Sequence, residues 1–286
     1  MRIAVAGASG LIGQALVAAL QAEGCEVTRM ARPATGRAAA EAIADADAVV
    51  NLAGSSIAGG RWTEAVRSEI RQSRIETTGA IAAALSRAPR PNRILVNASA
   101  VGYYGDRGNE ILTEDSSRGT GFLAELCGEW ESAARAAEPA GVRVVCVRFG
   151  IVLASGGGAL ARMLPVFRVG AGGRLGSGKQ WVSWIGLADA VGVILLALRD
   201  SGMAGPVNAV APGAATNAVF TEKLGRVLGR PAPFPVPEFA LTLALGQMAR
   251  ELLLSSAHAE PRRLAGAGFE FREPELEGAL RQAVAR

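Results

Sequence analysis

Three glycines close to the start of the chain, Gly7, Gly10 and Gly13, constrain its fold more than any other feature. They follow residues 3–6, an apolar segment typical of a buried strand, and they open residues 11–22, in which apolar side chains recur with helical spacing. Glycines between a strand and a helix permit a tight turn and let a pyrophosphate approach the backbone. The first N–H groups of the helix then face the phosphates. The spacing therefore predicts a dinucleotide site at this turn.

Strand and helix patterns alternate through the first half of the chain. Apolar segments at residues 26–30, 48–52, 94–98 and 142–147 alternate with helical patterns at residues 61–85 and 122–137. Such alternation predicts parallel βαβ units with right-handed crossovers, and strands this apolar predict a sheet that helices cover on both faces. The predicted fold class is α/β: a Rossmann-type parallel sheet with a small, mostly helical C-terminal lobe on the substrate side.

The alternation breaks down after Gly150. Glycine-rich loops at residues 155–158 and 170–173 flank a short helix, and prolines at positions 231, 233, 235 and 237 predict a rigid linker. Beyond the linker, helical patterns are expected at about residues 238–254, 261–265 and 274–284. We predict a dinucleotide-binding core over residues 1–235, with a substrate-side insertion at about residues 156–186, and a helical lobe over residues 236–286.

The end of the second predicted strand indicates which dinucleotide is bound. A chain that binds NAD usually carries an acid near this point, which holds the ribose 2′-hydroxyl. Here the segment reads Arg29-Met30-Ala31-Arg32, and a guanidinium suits a 2′-phosphate instead. We therefore predict NADP(H) as the cofactor, with Arg32 as the principal ligand of the 2′-phosphate. Arg29 and Arg37 are either helpers or solvated surface residues.

Further motifs resemble those of the extended short-chain dehydrogenase/reductase superfamily and, more narrowly, its epimerase family protein branch. The glycine turn is followed by Asn51-Leu52-Ala53-Gly54 after the third predicted strand. Other matching segments lie at residues 61–63, 73–78, 99–106, 176–181, 183–185, 251–256 and 261–264. The resemblance covers nearly the whole chain. It implies NADP(H)-dependent oxidoreductase or epimerase-like chemistry on a hydroxyl or carbonyl of a small molecule, for example one like a nucleotide sugar.

The resemblance also implies which residues contact the cofactor. They lie in the glycine turn, in the segment after the third strand that packs against the adenosine and ribose side of the cofactor, and in the stretch after residues 142–147 that closes over the nicotinamide. The implied contacts are Gly7, Ser9, Gly10, Leu11, Ile12, Leu52, Ala53, Gly54, Phe149, Gly150 and Val152. Residues 176–189 resemble the segment that reaches the substrate.

The usual catalytic pair of the superfamily, a tyrosine with a lysine four residues later, is missing. The only tyrosines are Tyr103 and Tyr104, and neither has a lysine at that spacing. Where the pair would lie on the helix at residues 122–137, the chain has Leu123 and Cys127. Neither side chain can transfer the proton as the usual pair does.

Three hydroxyl groups near the expected nicotinamide position are the candidate catalytic residues: Ser99, Tyr103 and Tyr104. In relatives the hydroxyl partner lies four residues before a tyrosine at the end of a strand. Counting back from Tyr103 gives Ser99 and counting back from Tyr104 gives Ala100, and we prefer Ser99 because only it carries a hydroxyl group. Ser99 could instead be a capping or strand-end hydroxyl with a structural role. Two functions therefore stay open. The chain is an NADP(H)-dependent enzyme with an altered proton relay, or a non-catalytic NADPH-binding sensor or partner-docking protein.

A run of arginines at helical spacing, Arg67, Arg71 and Arg74, lies in the helix predicted at residues 61–85. The run is either a solvated helix face or a surface that faces a phosphate-bearing substrate.

The composition narrows the partners and the compartment. The net charge is +4, but acids and bases are interspersed, so we expect no nucleic-acid surface. Cys25, Cys127, Cys146 and the single histidine, His258, lack metal-ligand spacing, so we predict no metal site and reduced thiols. No targeting segment or bilayer-spanning stretch is apparent, so we expect a cytoplasmic protein with no membrane partner. We expect a monomer or a homodimer that binds a small-molecule substrate.

Overall fold

The structure is a computed structural model that describes residues 1–31 and 36–285. The described strands are β1 (Arg2–Ala6), β2 (Glu26–Arg29), β3 (Ala48–Asn51), β4 (Ile94–Ala100), β5 (Ile111–Leu112), β6 (Arg143–Phe149), β7 (Ile151–Leu153), β8 (Trp181–Val182), β9 (Trp184–Gly186), β10 (Gly205–Ala209), β11 (Ala215–Thr216) and β12 (His258–Ala259). The described α-helices are α1 (Leu11–Ala22), α2 (Gly36–Ala44), α3 (Glu64–Arg87), α4 (Phe122–Arg135), α5 (Gly158–Arg168), α6 (Leu187–Arg199), α7 (Asn217–Leu228), α8 (Glu238–Leu245), α9 (Arg262–Gly266) and α10 (Leu276–Ala285).

A six-stranded parallel sheet forms the centre of the fold, in the order β10-β6-β4-β3-β1-β2. Ile3 of β1 aligns with Ala48 of β3, which in turn aligns with Ile94 of β4. All four residues of β3 are buried, as expected for an apolar strand that is covered on both faces. The structure confirms the predicted Rossmann-type α/β fold.

Helices cover the two faces of the sheet and bury its apolar side chains. On one face, Leu16 and Leu20 of α1 pack with Ile194 of α6. On the other face, Ile43 of α2 and Leu85 of α3 are buried against the strands, together with Ala134 of α4. The carboxyl ends of all six strands therefore point to one edge, where their loops can meet.

Short strands extend the fold at this carboxyl edge. They pair β7 with β9, β8 with β11, and β5 with β12. A further apolar cluster joins Leu160 of α5, Phe220 of α7 and Leu280 of α10. Leu264 of α9 packs in the cluster that contains Leu16 and Ile194. The residues after position 236 therefore return to the core at more than one point.

The helix predicted at residues 238–254 is interrupted in the structure. Helix α8 ends at Leu245, and Gly246 adopts a left-handed backbone with φ of 61°. Ala249–Leu253 then form a π-helical turn. The C-terminal region is helical, as predicted, and the domain boundary between residues 235 and 236 stays a prediction. Among the described helices, none combines the length and the apolar composition that crossing a bilayer requires.

Candidate active site

The glycine turn is built so tightly that side chains are excluded from it. A Cβ atom on Gly7, which has φ of 77°, would lie 2.6 Å from the carbonyl carbon of Leu52. A Cβ atom on Gly13 would lie 2.2 Å from the carbonyl oxygen of Gly7. The turn is closed by a hydrogen bond of 3.0 Å from the Gly10 N–H to that same oxygen. The turn thus brings β1, α1 and the segment after β3 into direct contact.

The first turn of α1 offers backbone donors for an anion. Its N-cap is Gly10, which provides no side-chain cap, and the turn contains no acidic residue. Leu11 and Ile12 form this turn and are half-buried, while Ser9 is exposed at its entrance. A tight turn with glycine at positions 7, 10 and 13 and a helix N-terminus with no acid fit the pyrophosphate of a dinucleotide.

The segment after β3 lies beside the glycine turn. The Leu52 N–H donates to the carbonyl oxygen of Ala6 at 2.9 Å, and the Ala53 N–H donates to Oδ1 of Asn51 at 3.2 Å. Gly54 follows, half-buried, against helix α3. The structure therefore brings Leu52, Ala53 and Gly54 together with Gly7, as the sequence motif predicts.

The third predicted cofactor segment follows β6. Phe149 is buried at the end of β6, and Val152 lies half-buried on β7. Gly150, between the two strands, has no room for a side chain, because a Cβ atom there would lie 2.7 Å from the carbonyl oxygen of Ser183. The loop after β7 then reaches the glycine turn, since Gly157 packs against the side chain of Leu11. These loops meet at the carboxyl edge of the sheet, and the space that they border is the candidate cofactor cleft.

The arginines near the end of β2 differ in their surroundings. Arg29 is exposed at the last position of the strand. Arg37 donates to Glu41 at 2.7 Å on the exposed face of α2. Arg32, the predicted ligand of the 2′-phosphate, lies outside the described residues.

Ser99 belongs to a buried polar network at the end of β4. It is 3% exposed, and its hydroxyl donates to Oε1 of Glu131 at 2.7 Å. Glu131 also forms two hydrogen bonds with Arg148 of β6, at 2.7 and 2.8 Å. Both charged side chains are buried, so each requires the other to offset the cost of losing water. This position argues for a structural or positioning role for Ser99.

Tyr104 is enclosed by the same network. Its side chain is 0% exposed, and its hydroxyl donates to Oδ1 of Asn208 at 2.7 Å or to the carbonyl oxygen of Thr113 at 2.9 Å. Arg148 donates to this hydroxyl at 3.0 Å. Burial raises the pKa of Tyr104, and the contact with Arg148 opposes that shift. A hydroxyl so enclosed has no route to a substrate, so the geometry argues against the predicted proton transfer by Tyr104.

Tyr103 differs from its neighbour in exposure and in contacts. The two residues lie in a 3₁₀ turn, Val101–Tyr104, directly after β4, and Tyr103 is half-buried. Its ring stacks on the guanidinium of Arg148, whose Cζ lies 3.5 Å from the ring centroid. Within residues 1–31 and 36–285, the Tyr103 hydroxyl makes no hydrogen bond to protein. Of the three predicted catalytic hydroxyls, Tyr103 is the one that the structure leaves open.

Leu123 and Cys127, which replace the usual pair, pack as apolar side chains. Both are buried on α4, within 4.0 Å of the position that a Cβ atom on Gly102 would take. Burial, and then the charge of Glu131, raise the pKa of Cys127 to about 11. The thiol is therefore neutral at physiological pH and is a poor proton donor.

Two contributors to this site could not be found from their spacing in the sequence. Arg148 connects Glu131, Tyr103 and Tyr104, although it lies directly after the strand predicted at residues 142–147, where no spacing indicates such a role. Glu251, from the π-helical turn, accepts a hydrogen bond of 2.9 Å from the Leu123 N–H at the start of α4. The matching segment at residues 251–256 was the only sequence signal for that contact.

Comparisons with known proteins agree with this architecture. A sequence profile of the NAD dependent epimerase/dehydratase family matches residues 3–209, and one of a domain of unknown function, DUF1731, matches residues 236–283. The epimerase family protein MT2273 of Mycobacterium tuberculosis is 44% identical over 99% of this chain and 98% of its own length. A nucleoside-diphosphate sugar epimerase of Corynebacterium glutamicum is 33% identical, with a TM-score of 0.79, over 99% of this chain and 58% of that one.

The human epimerase family protein SDR39U1 (isoform 2) is similar in both sequence and structure. Its crystal structure with NADPH has a TM-score of 0.93 at 38% identity, and the match covers 100% of both chains. These comparisons confirm the resemblance to the epimerase branch of the short-chain dehydrogenase/reductase superfamily. The chain belongs to the NAD-dependent epimerase/dehydratase family.

Proposed function

We propose that this protein binds NADP(H) and catalyses hydride exchange at a hydroxyl-bearing or carbonyl carbon of a small molecule. One observation carries the proposal: the uncapped first turn of α1 follows Gly10, where an added Cβ atom would meet only the carbonyl oxygen of Gly7, and it lies beside the loops that follow β3 and β6. The NADPH in the crystal structure of human SDR39U1 supports this choice of cofactor. Nucleotide-sugar-like molecules are the substrate class to test first.

The preference for NADP(H) depends on the charge near the end of β2. Arg29 is exposed at that point, and Arg32 follows it closely in the sequence. The only acid within residues 26–32 is Glu26, at the start of the strand. A guanidinium can donate two charge-assisted hydrogen bonds to a 2′-phosphate and would gain less from a 2′-hydroxyl. We therefore assign the discrimination to Arg32.

Tyr103 is the proposed proton donor. NADP(H), when bound, supplies or accepts the hydride. The Tyr103 hydroxyl gives its proton to the developing alkoxide when a carbonyl is reduced, and takes it back in the reverse direction. The Cζ of Arg148 lies 3.5 Å from the centre of the ring, and this cation–π contact fixes the orientation of Tyr103. Ser99 and Glu131 hold Arg148 in that place, so we propose a positioning role for both.

The cofactor assignment is tested by isothermal titration with NADPH and NADH. We expect NADPH to bind at least about tenfold more tightly, the value of one charge-assisted hydrogen bond. Arg32→Ala should remove that preference. Arg37→Ala is the matched control, because Arg37 is paired with Glu41 and should leave the preference intact. Equal affinities of the wild-type protein for the two cofactors would refute the assignment.

The catalytic assignment is tested by NADPH oxidation across a panel of carbonyl compounds, followed by variants on any substrate found. Tyr103→Phe should lower turnover by about 10²–10⁴, the usual contribution of a general acid, and leave NADPH affinity unchanged. Tyr104→Phe should act differently. It removes a buried hydroxyl that Arg148 and Asn208 need, so it should lower the free energy of unfolding by about 1–3 kcal/mol. Full turnover in Tyr103→Phe would exclude the proposed donor.

A second candidate function is that of a non-catalytic NADPH sensor or partner-docking protein. The observation that favours it is the apolar packing of Leu123 and the neutral thiol of Cys127, where a reactive pair is expected. Tight NADPH binding without oxidation of the cofactor by any compound in the panel would favour this function over catalysis.

A further inference from the structure

The three arginines of α3 have different environments. Arg67 donates to Oε1 of Gln247 at 2.5 Å, and Arg71 forms an ion pair of 3.3 Å with Glu129. Arg74, one turn further along, pairs with no carboxylate in the part of the chain that the structure describes. Its one protein hydrogen bond there is from NH1 to the carbonyl oxygen of Ile70, in its own helix, at 3.1 Å.

Arg74 lies between the segment after β3 and helix α4. Its guanidinium rests against Gly54, because a Cβ atom on that glycine would lie 2.9 Å from Cζ and 3.1 Å from NH2. Its Cζ also lies 5.0 Å from the ring centroid of Trp130. The guanidinium therefore occupies the space beside the β3 loop that only a glycine leaves open.

Both surfaces that hold Arg74 are themselves fixed. Next to Arg74 on α3, the Ser73 hydroxyl accepts a hydrogen bond of 3.1 Å from the Ser55 N–H, which ties the β3 loop to the helix. The indole N–H of Trp130 donates to the hydroxyl of Thr78 at 2.9 Å, in a buried network with Asn51. The position of the guanidinium is thus set before any ligand arrives.

An arginine in such surroundings loses hydration without gaining an opposite charge. Burial lowers the pKa of Arg74 below its ordinary value, and the interaction with Cys127 opposes that shift. Arg74 is half-buried, and a charge that loses part of its water is normally paired, because the loss costs free energy that an ionic or hydrogen-bonding partner offsets. The remaining N–H donors of Arg74 therefore indicate an oxygen-rich ligand beside Gly54.

The order of the sheet indicates which part of a dinucleotide reaches this point. The proposed 2′-phosphate site lies at the end of β2, and the glycine turn follows β1. Gly54 follows β3, one strand further from β2, and α4 carries Cys127 on the side of β4. Arg74 lies on the α4 side of Gly54, so a dinucleotide that runs across the sheet from β2 passes Gly54 with its adenosine side and reaches Arg74 with its nicotinamide half.

We propose that Arg74 binds the nicotinamide half of NADP(H), donating hydrogen bonds to the ribose and the phosphate that carry the nicotinamide. This inference rests on the proposed function. Arg74 would give the cleft a positive charge beside the nicotinamide. The superfamily resemblance expects a lysine to supply this charge from α4, but this chain has Cys127 at that position.

The test compares NADPH with 2′,5′-ADP, which contains the adenosine half of the cofactor and lacks the nicotinamide ribose. Titration calorimetry on Arg74→Met should show NADPH affinity lowered about tenfold to a hundredfold, the loss of one or two charge-assisted hydrogen bonds. Affinity for 2′,5′-ADP should stay within about twofold, and Arg74→Lys should recover part of the loss. Arg71→Met, which removes a half-buried arginine of the same helix that is already paired with Glu129, is the control and should change neither affinity.

The melting temperature without cofactor separates binding from a structural role. Because Arg74 has no acid partner among the described residues, Arg74→Met should melt at or above the wild-type temperature. A lower melting temperature, unchanged NADPH affinity, or equal losses for NADPH and 2′,5′-ADP would each overturn the inference. If the wild-type protein does not bind NADPH, whether or not it binds 2′,5′-ADP, the proposed function itself is refuted. That result is obtained with the wild-type protein alone and is therefore distinct from a failure of the Arg74 inference.

Discussion

Gly10 and Gly13 lie three residues apart in one turn, but an added methyl group would have different consequences at the two positions. At Gly10, whose φ of −76° suits any residue, the nearest atom to an added Cβ is the carbonyl oxygen of Gly7, at 3.3 Å. At Gly13 the same oxygen would lie 2.2 Å away, and Cα of Ala8 would lie 2.8 Å away. The first position faces the cleft, and the second packs helix α1 against its own turn.

We predict that Gly10→Ala lowers NADPH affinity at least about tenfold while the fold is retained, because the methyl group takes space that a pyrophosphate needs. Gly13→Ala should instead destabilise the protein. Replacing a glycine by alanine within a helix usually stabilises the helix by about 1 kcal/mol. At position 13, however, the new Cβ atom would lie 2.2 Å from the carbonyl oxygen of Gly7, and this backbone atom cannot move away. Such overpacking typically costs about 1–3 kcal/mol. Urea unfolding and NADPH titration on both variants measure the two effects. A Gly10→Ala protein with wild-type affinity would show that the phosphates lie elsewhere.

Helix α4 begins without a cap of its own. Its N-cap is Gly121, with φ of 100° and no side-chain hydrogen bond, so the first N–H groups depend on another element. Glu251 supplies the acceptor for Leu123, and Gln247 holds Glu251 through a hydrogen bond of 2.6 Å. Arg67 of α3 donates to Gln247 in turn. The C-terminal region thus completes the helix that borders the cleft.

We predict that Glu251→Ala lowers the free energy of unfolding by about 0.5–2 kcal/mol, the usual cost of losing a helix cap, because the Leu123 N–H then loses its acceptor. Glu125→Ala is the control, since Glu125 is an exposed acid in the first turn of the same helix and caps no N–H group in the described structure. Chemical denaturation compares the two variants. Equal losses in both would mean that the carboxylate acts through the helix dipole alone.

Some elements could be predicted from the sequence because a local pattern determines them. The helix at residues 11–22 has a clear apolar stripe and a glycine turn before it, and α1 spans the same residues. The break at Gly246 could not be predicted, because apolar residues continue beyond it and only its left-handed backbone shows the change of direction. Glu251 and Leu123 are 128 residues apart in sequence, and no periodic pattern encodes such a contact. The same holds for Arg74, whose role depends on Gly54 and Trp130 rather than on its own helix.

At the scale of the whole molecule, few groups can change charge in alkaline solution. Of the 30 basic residues only Lys179 and Lys223 are lysines, and arginine stays charged throughout the usual pH range. Two buried thiols therefore contribute strongly to the change of stability in alkaline solution. Burial, and then the charge of Glu131, raise the pKa of Cys127 to about 11 and that of Cys146 to about 12.

We predict that stability falls as the pH rises above about 8.5, the ordinary pKa of a thiol, towards pH 11 and 12. In that interval the unfolded chain has released the protons of both thiols and the folded chain still holds them, so unfolding releases protons and a higher pH favours it. The contribution of each thiol is complete below about pH 8.5. It declines by at most about 1.4 kcal/mol for each pH unit above that.

Urea unfolding under reducing conditions at pH 7.5 and pH 10 measures the decline. Cys146→Ala should reduce it, whereas Val144→Ala, which removes volume from the same face of β6 without removing a proton, should not. A decline of wild-type size in Cys146→Ala would contradict the assignment of the alkaline sensitivity to this thiol.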